Sequence, residues 1–241
     1  MKARRKFGEN DGALALGLNL TAQLLFSTHF QKSDLGLEPT VPQKLMFLDA
    51  SKRILLCTSR NVGKTISLIG RILRDIAIYL PQGGRQDEEI LVFAPAEGHL
   101  MPVIDRLYAN IARQPFFRHL VSLWSRGDKP KLITKTGLTV HGRIEGSSNT
   151  AVNMVGLHPF KIYGDECAFG DFINHREGRV ASAMPETKWL YAGVPNGVRT
   201  SPFYELDQKQ MGHGWSKHKF SIITGNPRFV RSSLVGMTTH A

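Results

Sequence analysis

From Arg53 onward, short apolar runs alternate with longer amphipathic stretches. Residues 54–57 (Ile-Leu-Leu-Cys) read as a buried strand. Residues 64–80 then place Ile69, Ile72, Leu73, Ile76 and Leu80 on one helical stripe, with Arg71, Arg74 and Asp75 expected on the other face. Pro81-Gln82-Gly83-Gly84 ends that helix. A second strand is predicted over 90–94. A helix follows over 99–113, with Ile104, Leu107, Tyr108 and Ile111 on one side, then a short helix over 116–124. Residues 131–140 predict a β-hairpin that turns at Thr136-Gly137. The remaining pattern predicts strands over 160–164, 189–193 and 216–223, and helices over 172–182 and 203–208. Strands that alternate with helices imply an α/β fold, a mostly parallel sheet with helices on both faces. Ligands of such sheets bind at the carboxyl ends of the strands, so chemistry is expected in the loops directly after them.

Before Arg53 the pattern is weaker. The head Met-Lys-Ala-Arg-Arg-Lys is basic, the segment 12–30 has a poor helical period, and Pro39 and Pro42 break the chain. Residues 43–52 return to a helical pattern with Leu45, Met46 and Leu48. Glu9 and Asp11 separate the basic head from the apolar segment, and no A-x-A-like site follows, which opposes a secretory signal.

The loop after the first strand reads Thr58-Ser59-Arg60-Asn61-Val62-Gly63-Lys64-Thr65. It meets the phosphate-loop pattern G-x-x-x-x-G-K-[ST] everywhere except the first glycine, where Thr58 stands. Gly63 permits the backbone turn that points amides at a phosphate. Lys64 supplies a cation for the β- and γ-phosphates of ATP, and the Thr65 hydroxyl can ligate Mg²⁺. The helix that follows aims its positive end at the same place. A bare Gly-Lys-Thr is weak; its position between a buried strand and an amphipathic helix makes it specific.

The strand over 160–164 ends in Asp165-Glu166. One carboxylate could hold the Mg²⁺ shell and the other could deprotonate an attacking water. Successive side chains on a strand point to opposite faces, so the pair is expected not to share one task. Pro195-Asn196-Gly197 follows another strand; it is an ordinary turn sequence, or Asn196 senses the γ-phosphate if its strand lies beside the first one.

Composition narrows the partners. The 241 residues include 31 Lys and Arg against 20 Asp and Glu, a formal net charge of +11. Such an excess points to a polyanion, most often nucleic acid. Two cysteines, Cys57 and Cys167, exclude a disulfide scaffold and read as buried packing. No apolar run reaches the length of a membrane span, so no membrane partner is expected. The histidines show no metal-binding spacing. Basic residues cluster at Arg126, Lys129, Lys131 and Lys135, and again at Lys209, Lys217, Lys219 and Arg228; each cluster is a solvated face or a DNA contact.

Taken in order, Gln43 within Pro-Gln-Lys-Leu-Met-Phe-Leu, then Ser-Arg-Asn-Val-Gly-Lys-Thr, Asp-Glu-Cys-Ala-Phe, and Pro-Asn-Gly followed by Phe-Tyr resemble one known family. This is the ATPase domain of the large terminase subunit of tailed bacteriophages, over roughly residues 40–227. The resemblance implies a phosphate-loop NTPase of the additional-strand (ASCE, RecA-like) type, with the 189–193 strand between the 54–57 and 160–164 strands. It implies an ATPase that translocates double-stranded DNA into a procapsid in the host cell cytoplasm. Portal protein, small terminase subunit and a self-associated ring would be its partners. Gln43 would contact adenine. Ser59, Arg60, Asn61, Val62, Gly63, Lys64 and Thr65 would bind ATP, with Arg60 and Lys64 also catalytic. Thr65 and Asp165 would hold Mg²⁺, Glu166 would be the base, and Asn196 would couple hydrolysis to movement. An arginine acting on a neighbour's site is expected on a loop between hairpin and acidic strand, where Arg143 stands, with Arg126 in reserve. The expected domains are an N-terminal extension (1–40), the ATPase domain (41–227) and a tail or linker start (228–241), without the family's nuclease domain. Two alternatives remain: a basic nucleic-acid-binding module with an inactive phosphate loop, which Thr58 favours, and a helicase-like ATPase of another family.

Overall fold

The computed structural model of the chain describes residues 43, 45–46, 49–79, 88–145, 157–170, 187–208 and 214–221. In chain order the elements are β1 (Arg53–Thr58), α1 (Lys64–Ile78), β2 (Glu89–Ala94), α2 (Glu97–Arg113), α3 (Pro115–Leu120) and β3 (Val121–Ser125). Next come β4 (Lys131–Thr134), β5 (Thr139–Ile144), β6 (Pro159–Gly164), a 3-10 turn (Cys167–Phe169), β7 (Lys188–Gly193), α4 (Pro202–Gln208) and β8 (Trp215–Phe220). The strands form one sheet in the order β3-β4-β5-β2-β6-β7-β1-β8. From β5 to β8 every pairing is parallel. The β3–β4 and β4–β5 pairings are antiparallel.

Continuous apolar runs such as Ile90 to Ala94 suit strands buried on both faces. Leu55, Leu91, Phe93, Ile162, Trp189 and Tyr191 pack with Phe203 and Leu206 of α4. The alternate side chains face α1 and α2: Tyr163 meets Asp75 of α1, and Gly142 lies under Ile104 of α2. α1 buries Ile69, Ile72, Leu73 and Ile76 of the stripe its spacing predicts, and Leu68 beside them, while Leu80 lies outside the described residues. β7 does lie between β1 and β6. That order brings the ends of β1, β6 and β7 side by side.

Three expectations need correction. The helix predicted over 116–124 stops at Leu120, and Val121–Ser125 becomes the edge strand β3. Pairing with β4 wins over the local pattern: the Trp124 ring packs tilted against Tyr108, with ring centroids 5.0 Å apart. The Tyr108 hydroxyl also donates to the carbonyls of Ser125 and Lys131, at 2.6 and 3.1 Å. Asp75 is not on the solvent face of α1 but buried, for the reason given below. The last strand ends at Phe220, before the predicted 223. The segments 12–30 and 172–182 lie outside the described residues. Among the described residues, no helix is long and apolar enough to cross a membrane.

Candidate active site

The phosphate-loop motif leaves the end of β1 and wraps into α1. Its start is pinned by the Ser59 N–H, which donates to the Phe220 carbonyl of β8 at 2.9 Å. Val62 is buried and anchors the middle, while Arg60 and Asn61 are exposed. Asn61 and Gly63 take left-handed φ values of 63° and 89°. At Gly63 a Cβ would also lie 2.1 Å from Gln43 Nε2, so the buried Gln43 amide rests directly on the loop. The N-cap of α1 is Gly63, with no side-chain cap among the described residues, and its first turn holds no acidic residue. The leading N–H groups and the positive end of the helix are therefore left for an anion.

Across from the loop stands the acidic pair. The Asp165 N–H continues the ladder to the Phe93 carbonyl, at 3.0 Å. Glu166 then turns left-handed, with φ 52° and ψ 34°. This turn breaks the alternation expected of a strand, so the two carboxylates do not diverge. The Lys64 ammonium is in direct contact with Glu166 and lies 3.9 Å from Asp165. The Thr65 hydroxyl donates to Asp165 Oδ2 at 2.8 Å. Burial pushes the Asp165 pKa up, and Lys64 and the Thr65 hydrogen bond oppose that rise. Glu166 Oε2 is buried and makes no hydrogen bond to the described residues.

Thr65 and Asp165 offer the hard oxygen donors Mg²⁺ takes, with most of its shell left to water and substrate phosphates. The residues thus fit that ion. No cluster of three or more His, Cys, Asp or Glu side chains placed to hold a metal occurs among the described residues.

The 3-10 turn after the pair is held from two sides. Asn196, after β7, donates to the Ala168 carbonyl at 2.5 Å. The buried Glu145, after β5, lies against Gly170, where a Cβ would come within 2.0 Å of its Oε2. Behind the pair, Gly164 is needed because a Cβ there would meet Cys167 Sγ at 2.4 Å and the Phe93 ring at 2.5 Å.

The pattern missed a polar ladder under this site. Lys161 and Tyr163, on the α1 face of β6, both donate to the buried Asp75 carboxylate of α1. Burial drives the Lys161 pKa down against the pull of Asp75, and drives the Tyr163 pKa well up. Two polar residues inside a core strand were the signal that a buried acid had to face them.

Arg143 does not lie on a loop. It sits in β5, where ladder pairing to Phe93 fixes it. Its guanidinium donates to the Gly142 carbonyl at 2.7 Å and touches His141 Nδ1 at 3.1 Å. Arg126 forms an exposed ion pair with Asp105 at 2.5 Å. Burial raises the Cys57 pKa to about 11 and pushes the Cys167 pKa well up, so both thiols pack rather than react.

No protein-family model matches the chain, and no curated protein matches it in sequence. Solved structures do match in fold. The bacteriophage HK97 large terminase shares 14% identity at a TM-score of 0.60, over 83% of this chain and 48% of that one. The large terminase ATPase domain of a Thermus phage shares 14% identity at a TM-score of 0.59, over 88% of this chain and 92% of that one. A thermophilic bacteriophage large terminase in complex with ATP-gamma-S shares 16% identity at a TM-score of 0.54, over 82% and 49%. The chain has the fold of the large terminase ATPase domain. It spans about half the length of the HK97 protein.

Proposed function

We propose that this chain is the ATP-hydrolysing motor domain of a viral DNA-packaging machine, driving double-stranded DNA into a procapsid. The carrying observation is the meeting of Lys64, Thr65, Asp165 and Glu166 where β1 and β6 end. The shared fold supports the choice of motor. The proposal includes a portal, a small subunit and a ring of like chains as partners, in the host cytoplasm.

The loop from Ser59 to Gly63 cradles the phosphates with its amides, Arg60 reaches them from the exposed side, and Gln43 sits beside the loop for the base. Thr65 directly, and Asp165 through water, would hold Mg²⁺, which when bound draws charge off the β- and γ-phosphoryl oxygens. In the free chain Lys64 is paired with Glu166. A γ-phosphate entering the loop competes for the same ammonium. As Lys64 turns to the phosphate, the Glu166 carboxylate is released to accept a proton from the attacking water. The water oxygen bonds to the γ-phosphorus as the bond to the β-bridging oxygen breaks. Asn196 then passes any shift of the acidic turn to the end of β7 through its bond to Ala168.

An inactive phosphate loop is disfavoured, because both the cation and the carboxylates are in place although Thr58 replaces the glycine. Steady-state ATPase assays with and without duplex DNA test the proposal. Mg²⁺-dependent hydrolysis that rises with DNA, and that Lys64→Ala abolishes, is expected. Turnover unaffected by Lys64→Ala would refute it.

A further inference from the structure

The two basic clusters are not equivalent once folded. In the C-terminal cluster, Lys219 pairs with the Asp207 carboxylate at 2.7 Å and Lys217 donates to the Asp207 carbonyl. Lys209 and Arg228 lie outside the described residues. At the antiparallel edge the cations are differently placed. Arg118, Lys129 and Lys135 are exposed and Lys131 is half-exposed. None of these four side chains has an acidic partner among the described residues. Arg126 makes an exposed pair with Asp105, the kind of contact that contributes little and exchanges readily. Residues 118–135 hold these five cations against one acid, Asp128, a net +4 within the chain's +11.

The edge also has a suitable shape. The Lys135 N–H donates to the Leu120 carbonyl at 2.8 Å, which brings the end of α3, and so Arg118, beside Lys135. Ser125 pairs with Lys131, which brings Arg126 and Lys129 to the other end of β4. Six extended residue steps, from Lys129 to Lys135, cover up to about 20 Å. That is about six phosphates along one strand of duplex DNA, at roughly 3.4 Å each. β3 is the edge strand of the sheet among the described residues, and an edge strand offers backbone N–H donors to phosphate oxygens. Leu123 and Trp124 are 54% and 41% exposed between the two charged ends, apolar surface of the kind that packs on sugar. Beside Trp124 opens a cleft of about 590 Å³ lined by Tyr108, Ala109, Ala112 and Arg126. Six strand intervals of about 4.8 Å separate this edge from β1, so it is not part of the nucleotide site.

We infer that the β3–β4 edge, through Arg118, Arg126, Lys129, Lys131 and Lys135, binds the phosphate backbone of duplex DNA without reading its sequence. The choice of duplex rests on the motor function proposed above; the choice of surface rests on four exposed or half-exposed cations with no acidic partner among the described residues.

The test is fluorescence anisotropy of a labelled random-sequence duplex with the full chain, titrated between about 50 and 200 mM salt. Lys129→Ala, Lys131→Ala and Lys135→Ala together should make the slope of log K against log salt shallower by about 2.7. The milder Lys129→Ala with Lys135→Ala should lower it by about 1.8. Lys217→Ala with Lys219→Ala should leave it near the parent value, and all three variants should keep the DNA-free ATPase rate. A parental slope in both edge variants overturns the assignment while leaving the motor function standing. A lost slope in edge variants of a parent that hydrolyses no ATP keeps the surface and removes the motor. If Leu123→Ser abolishes self-association while the edge variants bind DNA like the parent, the edge meets protein, and the proposal fails.

Discussion

The Thr65 hydroxyl donates to the Asp165 carboxylate across 2.8 Å, joining the first turn of α1 to the end of β6 through residues one hundred positions apart. The same two oxygens are the hard donors proposed above for Mg²⁺. Thr65→Val keeps the shape and removes the hydroxyl. The Mg²⁺ concentration for half-maximal ATPase should rise about 10–100-fold, as when a ligand or its support is lost. Thr65→Ser should stay close to the parent. Equal Mg²⁺ dependence in the valine variant would remove Thr65 from the ion's shell.

Asp75 ties α1 to β6 below the site through Lys161 and Tyr163. Asp75→Ala leaves the Lys161 ammonium buried and unpaired, a change that costs about 3–5 kcal/mol. For a chain of this size the melting temperature should fall by about 6–20 °C. Asp75→Leu with Lys161→Met removes both charges, and much of the loss should return. Calorimetry of the three proteins decides it; a single variant within about 1 kcal/mol of the parent would show that the ladder holds nothing.

Stability should also carry an acid limb from Asp49. Burial alone would raise its pKa, but hydrogen bonds from Ser216, Ser51 and His218 outweigh that and hold it at about 2. Its folded pKa is thus below the ordinary value of 3.8. The stabilisation is fully present above pH 4 and is lost as pH falls toward 2. Urea midpoints of the parent should exceed those of Asp49→Asn at neutral pH, and the gap should close between pH 4 and 2. A gap constant over that window would mean the carboxylate charge is not what Ser51 and His218 hold.

Much of this was legible from periodicity. The stripe of α1, the buried runs of β1, β2 and β7, and the Gly-Lys-Thr between strand and helix are local patterns, and the structure keeps them. What escaped depended on distant partners. Val121–Ser125 became a strand because β4 and Tyr108 stood beside it. Asp75 lay inward because Lys161 and Tyr163 awaited it, and Arg143 was taken into β5 by pairing with β2. Glu166 met Lys64 through one left-handed residue, a conformation that neither hydropathy nor alternation announces.

Glu166→Gln probes the central proposal most directly, with ATP binding and single-turnover hydrolysis measured on the same protein. Glutamine keeps the shape but can neither accept the proton nor pair electrostatically with Lys64. ATP should bind as tightly as to the parent or more tightly, since its phosphate no longer competes with a carboxylate for the ammonium. Hydrolysis should fall by about 10²–10⁴-fold, the usual contribution of a positioned base. Turnover near the parent rate, or binding lost together with hydrolysis, would contradict the release of Glu166 by the nucleotide.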